Sequence, residues 1–463
     1  MNILPPDDAS FAVSTPILVI GAGACGLVAA LTVREAGHDV LVLERDASPS
    51  GSTALSSGMI PAAGTQRQKQ AGIDDTPELM AQDIQNKAKG RADPVITAAV
   101  TRASGPAVDW LDALPEVDLA LVTGFLYPGH SVERMHAPPN RTGEALMGML
   151  LAAAGRMGVD IVTEAHVTAL FADADSRVRG ARITRPDGSV EDIGCDHLIL
   201  ACNGYGGNKS MVAEHIPEMA RADYFGHAGN QGDAVRWGVA LGGEAKHMSA
   251  YQGHGSVAVP HGILITWALM MQGGIQVNAK GERFSNEHQG YSEQSVAVLA
   301  QPGRVAWAIY DERIHALGRE FEDYRNACDQ RAIIHAGSLE ELANRLGVNK
   351  GKLAAAIAET HGDGVDKFMR DFSAKPGLEP PFYAVKVTGA LFHTQGGLRV
   401  DAAARVLRAG TNEPLPSLYA GGGAACGVSG PEVSGYLSGN GLLTAVALGR
   451  LAGLDVAKRQ SEG

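Results

Sequence analysis

Ile17-Leu-Val-Ile-Gly-Ala-Gly-Ala-Cys-Gly-Leu27, followed after an alanine-rich stretch by Val40-Leu-Val-Leu-Glu44, is the segment of this 463-residue chain that decides its fold. Two short apolar runs bracket Gly21-x-Gly23-x-x-Gly26 and a helical pattern, the strand–helix–strand order that a dinucleotide site requires. Gly21 permits a tight turn, Gly23 lets backbone approach a diphosphate, and Gly26 allows a helix to pack closely on a strand. The diphosphate then meets free N–H groups at a helix N-terminus, where the dipole favours negative charge. Glu44 follows Gly26 by 18 residues, at the end of the second run, where a carboxylate can hold an adenosine ribose hydroxyl. Together these features predict a bound dinucleotide, with NAD and FAD both open.

The chain is long enough for two domains around a large core. Lys and Arg number 39 against 51 Asp and Glu, and the net charge of −12 argues against nucleic acid and anionic membrane as partners. Cys25, Cys195, Cys202, Cys328 and Cys426 lie far apart and make no Cys-x-x-Cys pair, so no metal site is expected and a reducing, cytoplasmic setting is. Residues 1–15 contain Pro5, Pro6, Asp7 and Asp8 and do not read as a secretory signal. No apolar run is long enough to predict a membrane span.

Beyond Glu44, Gly51-Ser-Thr-Ala-Leu-Ser-Ser-Gly58 reads as a loop and 76–115 as helical, with Trp110, Leu111 and Leu114 on its apolar face. Strands are expected over 159–162, 167–172, 178–184 and 197–201, with a turn at Arg185-Pro-Asp-Gly188. Helices are expected over 338–346 and 353–360, and Ser338 with Glu341 suggests a capping box. A last helix is expected over 442–451. The change of character after residue 244 predicts one nucleotide-binding domain split in sequence, 1–244 and 389–463, around an inserted domain at 245–388.

Several segments select the dinucleotide. The chain resembles the flavoprotein superfamily of fumarate reductases, succinate dehydrogenase flavin subunits and 3-ketosteroid dehydrogenases. The resemblance is carried by the 21–44 fingerprint, Gly51 to Gly58, Asn140-Arg-Thr-Gly-Glu-Ala-Leu146 and Gly232-Asp233. It continues through Gly281-Glu-Arg-Phe-Ser-Asn-Glu287, His393-Thr-Gln-Gly-Gly-Leu398, Leu418-Tyr-Ala-Gly-Gly422 and Gly439-Asn-Gly-Leu-Leu443. It implies an α/β fold: a Rossmann-like FAD-binding domain of the glutathione-reductase type with an inserted α+β capping domain. It also implies FAD contacts at Gly21, Gly23, Gly26, Glu44, Arg45, Ser52, Thr53, Ser57, Gly58 and Val167. Further contacts are implied at Asn203, Gly204, Asn208, Asp233, Gly422, Asn440, Leu442 and Leu443. Gly423 stands where many relatives carry a ribitol-binding glutamate. No histidine lies between His38 and His130 to serve as a covalent attachment point, so the FAD is expected to be noncovalent.

In the resembled family a hydride passes between flavin N5 and a substrate β-carbon while a proton moves at the α-carbon. Fumarate reductases carry the proton on an arginine eight residues after the position of Arg283; here that residue is Tyr291. A second arginine, which grips substrate near the C-terminus, is replaced by Tyr436. Two lost guanidinium forks leave no bidentate grip on a dicarboxylate. Tyrosines at both positions resemble 3-ketosteroid dehydrogenases, which implies Tyr291 as the base and Tyr436 with the N–H of Gly439 or Asn440 as the pair that holds the ketone oxygen. A phenol needs its pKa lowered from about 10 to act as a base at neutral pH. His393 matches a family histidine that binds a substrate carboxylate or carbonyl; a histidine bonded to backbone behind the site is the alternative. Arg283 and Glu287 fit an ion pair as well as a substrate contact, and Tyr127, Trp267, Met270 and Met271 fit packing, with a place on the pocket wall as the alternative. The expected enzyme is an FAD-dependent dehydrogenase, or reductase, of the α,β bond of a cyclic ketone such as a 3-ketosteroid or an oxocyclohexane carboxylate, with its electron acceptor open. The alternatives are a reductase of an unsaturated acid and a non-catalytic electron-transfer subunit.

Overall fold

Ile17, Leu18, Val19 and Ile20 are all buried, as befits a parallel strand covered on both faces. In the computed structural model, which describes residues 2–462, they end the strand Phe11–Ile20. Met1 and Gly463, the outer limits of the expected spans, lie outside the described residues. Phe11–Ile20 pairs in parallel with Val40–Leu43 on one side and Val190–Leu200 on the other. Asp160–Val162 extends this layer beyond Val40–Leu43, and Pro414–Ala420 extends it beyond Val190–Leu200. The C-terminal part of the chain thus returns to the fingerprint sheet, which has nine strands among the described residues. The antiparallel strands Val178–Thr184 and His166–Ala172 continue one flank, which ends at Asn2–Leu4, and the turn at Arg185 closes with the Gly188 N–H on the Arg185 carbonyl at 2.9 Å.

Helix Ala24–Glu35 leaves the fingerprint and packs against the C-terminal helix Asn440–Glu462, longer than the expected 442–451. A Cβ at Gly449 would lie 2.6 Å from the Cys25 carbonyl oxygen, and one at Gly453 would lie 2.6 Å from Thr32 Cβ. Glycine at both positions lets the two helices close up.

A second sheet, of seven strands among the described residues, centres on Tyr251–Ala258 and Phe382–Thr394. It draws strands from Asp223–Tyr224 through to Thr394, taking in chain on both sides of the expected 245–388 insertion. The architecture is α/β: a Rossmann-like layer joined to a mixed second unit.

Local departures have local causes. The expected 76–115 helix is two, Pro77–Lys87 and Pro94–Asp112. Lys89 and Gly90 adopt positive φ between them, and Asp93 caps the second through the N–H groups of Val95 and Ile96. The loop at Gly51 opens with a short helix, Gly51–Ala54. Only half the capping box forms: Ser338 accepts from the Glu341 N–H, but the Glu341 carboxylate takes the Gly337 N–H instead. Among the described residues no helix is long and apolar enough to cross a membrane.

Candidate active site

The fingerprint builds a cradle from backbone. Gly21 has φ +103°, and a Cβ there would sit 2.6 Å from the Ala201 carbonyl oxygen. A Cβ on Gly26 would sit 1.9 Å from the Gly21 carbonyl oxygen, whereas one on Gly23 would meet only Thr53 Oγ1, at 3.5 Å. Gly26 therefore serves packing and Gly23 leaves room for a ligand. Thr53 Oγ1 accepts the Ala24 N–H at 3.1 Å, bringing the loop after the second strand onto the helix start. The Glu44 carboxylate accepts from the N–H groups of Ala22 (2.9 Å) and Asp46 (3.1 Å), which fixes it over the turn with lone pairs left for hydroxyls.

A cavity of about 560 Å³ runs from this turn into the second unit. Gly21, Gly23, Glu44, Arg45, Ser52, Thr53, Ser57, Val167, Asn203, Asp233, Gly422 and Leu442 lie on its wall. Gly26, Gly58, Gly204, Asn208, Asn440 and Leu443 stand behind it. Gly58 and Gly204 have no room for a side chain, against the Thr142 carbonyl and Thr394 Oγ1 respectively. Asn208 caps helix Lys209–His215, and Asn440 is fully buried with its amide on Ser429. The donors and carboxylate at one end, and a continuous groove beyond, fit an extended dinucleotide. Arg45 donates to the Gly229 carbonyl (2.9 Å), and Asn230 to Ser52 Oγ (2.8 Å), so the 227–233 segment is tied down beside the fingerprint end.

At the other end stand the tyrosines. Tyr291 begins helix Tyr291–Leu299 and is buried. That helix presses on strand Tyr251–Ala258 because the strand offers glycines there: a Cβ at Gly253 would lie 2.1 Å from Ser295 Oγ. Ser292 Oγ meets both the N–H and the carbonyl of Gly253 at 3.1 Å. The Tyr291 ring consequently stacks on His254 at 4.7 Å and lies 6.0 Å from the Tyr436 ring. Burial pushes the Tyr291 phenol well above its usual range, reinforced by Tyr436, with the Ser438 hydroxyl pulling the other way. Burial likewise pushes Tyr436 up to about 12, against the N–H of Gly441, the Tyr291 hydroxyl and the N–H of Gly439. The lowered phenol that a resting base needs is not formed: both side chains are neutral phenols at pH 7.

His393 lies on Phe382–Thr394, opposite Gln252, and burial lowers its imidazole to about 4. A Cβ placed on Gly441 would be 3.9 Å from both His393 Nδ1 and the Tyr436 hydroxyl, so these two groups flank one point of the wall. A Cβ on Gly423 would be 2.0 Å from Asn203 Oδ1 and 2.9 Å from His393 Nε2, which leaves no space for a side chain at this position. Gly439 also lines the cavity, at φ +84°.

Three wall residues went unread in the sequence. His254 stacks on Tyr291, its Nδ1 has no hydrogen-bond partner among the described residues, and burial lowers it to about 3. Its one signal was a histidine set between glycines, Gly253-His254-Gly255. Ser438, two positions after Tyr436, reaches the Tyr291 phenol. Its carbonyl accepts from His130 Nε2 at 2.9 Å. Gln252 completes the set. Trp267 also lies on the wall, with Tyr127, whose hydroxyl meets Met59 Sδ at 3.5 Å; Met270 packs in the core. Arg283 and Glu287 are an internal ion pair, away from the cavity wall. The Glu287 carboxylate takes Arg283 (2.7 Å) and Arg370 (2.8 Å), and Arg283 continues to Glu359 at 2.8 Å. Among the described residues no group of His, Cys, Asp and Glu could hold a metal ion.

Comparison with known proteins agrees with this architecture. The chain is 29% identical over 449 residues to the fumarate reductase (cytochrome) of Shewanella frigidimarina, across 96% of this chain and 77% of that protein. It is 26% identical over 547 residues to the 4-oxocyclohexanecarboxylate 2-dehydrogenase of Sinomonas cyclohexanicum, across 95% of this chain and 92% of that one. The structure of the 3-ketosteroid-Δ4-(5α)-dehydrogenase of Rhodococcus jostii RHA1 shares the fold, with TM-score 0.76 and 24% identity over 99% of this chain and 100% of that one. Residues 16–442 match the FAD binding domain family, and the chain belongs to it.

Proposed function

We propose that this FAD-dependent oxidoreductase moves hydrogen across the α,β carbon–carbon bond of a cyclic ketone, with Tyr291 handling the α-proton and Tyr436 with the Gly439 N–H holding the ketone oxygen. The observation that carries the reading is the pair of buried phenols, 6.0 Å apart between ring centres, on the wall of the cavity that starts at the dinucleotide cradle. The wall arginines are Arg45, at the fingerprint end, and Arg141, which lies over the Phe321 ring at 5.3 Å. Bound FAD supplies the hydride acceptor or donor. A neutral Tyr291 suits delivery of a proton to the α-carbon, the reductive direction. To take a proton it must first ionise, which at pH 7 costs about 4 kcal/mol even for an ordinary phenol, and burial adds to that. The second unit excludes water around the reacting carbons. Arg141 offers a cation to a ring that bears a carboxylate, and the likeness to a 4-oxocyclohexanecarboxylate dehydrogenase points to the same substrate class. All five cysteines are free, which supports a reducing, cytoplasmic setting.

Deuterium wash-in at the α-carbon of 4-oxocyclohexanecarboxylate tests this. Oxidised enzyme is expected to catalyse exchange, and Tyr291→Phe to lose it. Retained reduction of fumarate-type acids with no ketone turnover would replace this reading with an unsaturated-acid reductase, in line with the likeness to fumarate reductase. Fast photoreduction of the flavin with neither activity would indicate an electron-carrying subunit.

A further inference from the structure

Behind His393 runs a line of buried polar side chains from three separate segments. Asn440 Nδ2 donates to Ser429 Oγ (3.0 Å), Ser429 Oγ donates to Gln395 Oε1 (3.0 Å), and Gln395 Nε2 lies 2.8 Å from His393 Nδ1. Asn440, Ser429 and Gln395 are each at most 2% exposed, so water does not compete for these bonds. The Gln395 backbone is pinned as well, its N–H on the Ala250 carbonyl (2.8 Å) and its carbonyl on the Gly427 N–H (2.9 Å).

The direction of this line is set by what each group has to give. Ser429 has one proton; spending it on Gln395 Oε1 leaves its oxygen to accept from Asn440. With the Gln395 carbonyl engaged, its NH₂ faces the imidazole, and an NH₂ only donates. His393 Nδ1 must therefore accept, and a neutral ring then carries its proton on Nε2. Among the described residues no hydrogen bond engages Nε2, which lies beside Gly423 on the cavity wall.

We propose that Gln395, braced by Ser429 and Asn440, locks His393 as the Nε2–H tautomer and so makes it a fixed hydrogen-bond donor to an acceptor oxygen of the substrate. In this arrangement His393 recognises a carbonyl or carboxylate oxygen and takes no proton, because its only basic nitrogen is occupied. Gln395 is a positioning residue acting through that ring. Asn440, first residue of the C-terminal helix, extends the brace to the helix start. The proposal rests on the reading of this cavity as the substrate site, and the tautomer itself does not.

The tautomer is read directly by ¹⁵N shifts of histidine-labelled holoenzyme, with His393→Gln identifying the resonances. A bare Nδ1 and a protonated Nε2 are expected in the wild type, and a mixed ring in Gln395→Met. That variant is expected to raise KM roughly 2–12-fold, the loss of one neutral hydrogen bond, with a smaller change in kcat. The KM is measured on whichever of 4-oxocyclohexanecarboxylate and fumarate the enzyme turns over. Gln395→Glu, which turns the partner into an acceptor, is expected to introduce an ionisation near neutral pH into the KM profile. Should Gln395→Met not fold, Ser429→Ala removes the brace while keeping the amide and is expected to give the same mixed ring. A protonated Nδ1 in the wild type, or an unchanged KM and tautomer in a folded variant, overturns the proposal. A locked Nε2–H in an enzyme without ketone turnover sinks only the ketone reading.

Discussion

Tyr436 carries the clearest test at the scale of one residue. Its hydroxyl sits among the N–H groups of Gly439 and Gly441 and the Tyr291 phenol, a position suited to an oxygen that gains charge during reaction. Tyr436→Phe keeps the ring and removes the donor. It is expected to lower kcat by about 10²–10³-fold, the range for losing one such donor, while flavin absorbance and melting temperature stay near wild type. A variant that keeps full kcat would remove Tyr436 from the chemistry. The identity of Tyr436 suggested a role at once, but its protonation state follows from burial by elements far away in the chain.

At the scale of elements, the site depends on how closely helices and strands approach. Helices Ala24–Glu35 and Asn440–Glu462 meet through Gly449, where a Cβ would stand 2.6 Å from the Cys25 carbonyl oxygen and 3.3 Å from its carbon. Backbone cannot swing aside as a side chain can. Gly449→Ala is expected to destabilise by about 1–3 kcal/mol and to weaken FAD retention, because both helices start at the cavity. Thermal melting with and without added FAD checks this; an unshifted melting temperature would mean the helices separate freely. The strand Tyr251–Ala258 uses the same device for helix Tyr291–Leu299, and that contact places the Tyr291 ring.

For the molecule as a whole, buried histidines set a pH dependence of stability. Burial holds His130 at about 4, aided by the Arg134 charge, and His254 at about 3, both below the usual 6.5. Above pH 6.5 both rings are neutral whether the chain is folded or not, and stability is at its full value. Below it the unfolded chain accepts protons that the folded one refuses, so each ring removes about 1.4 kcal/mol per pH unit down to its folded pKa. From pH 6.5 to 5 the pair lowers stability by at most ~4 kcal/mol. Urea unfolding across that range is expected to show the fall, with a shallower slope in His254→Asn; a flat wild-type profile would contradict it.

The dinucleotide cradle was legible in the sequence because it is local. Turn, helix, second strand and Glu44 lie within 28 residues, and Gly26 answers a clash with the carbonyl of nearby Gly21, although the backbone that crowds Gly21 itself comes from distant Ala201. The two tyrosines were legible too, since position in a motif survives without coordinates. The pocket around them was not. Tyr291, Tyr436, His254 and His393 come from four distant segments: the second sheet and the helix packed on it gather Tyr291, His254 and His393, and the meeting of the two units adds Tyr436. That packing also decides what sequence cannot express, namely solvent exposure. Exposure sets whether a phenol is an acid or a base, made Arg283 and Glu287 an internal ion pair, and let Gln395 orient a histidine two residues away.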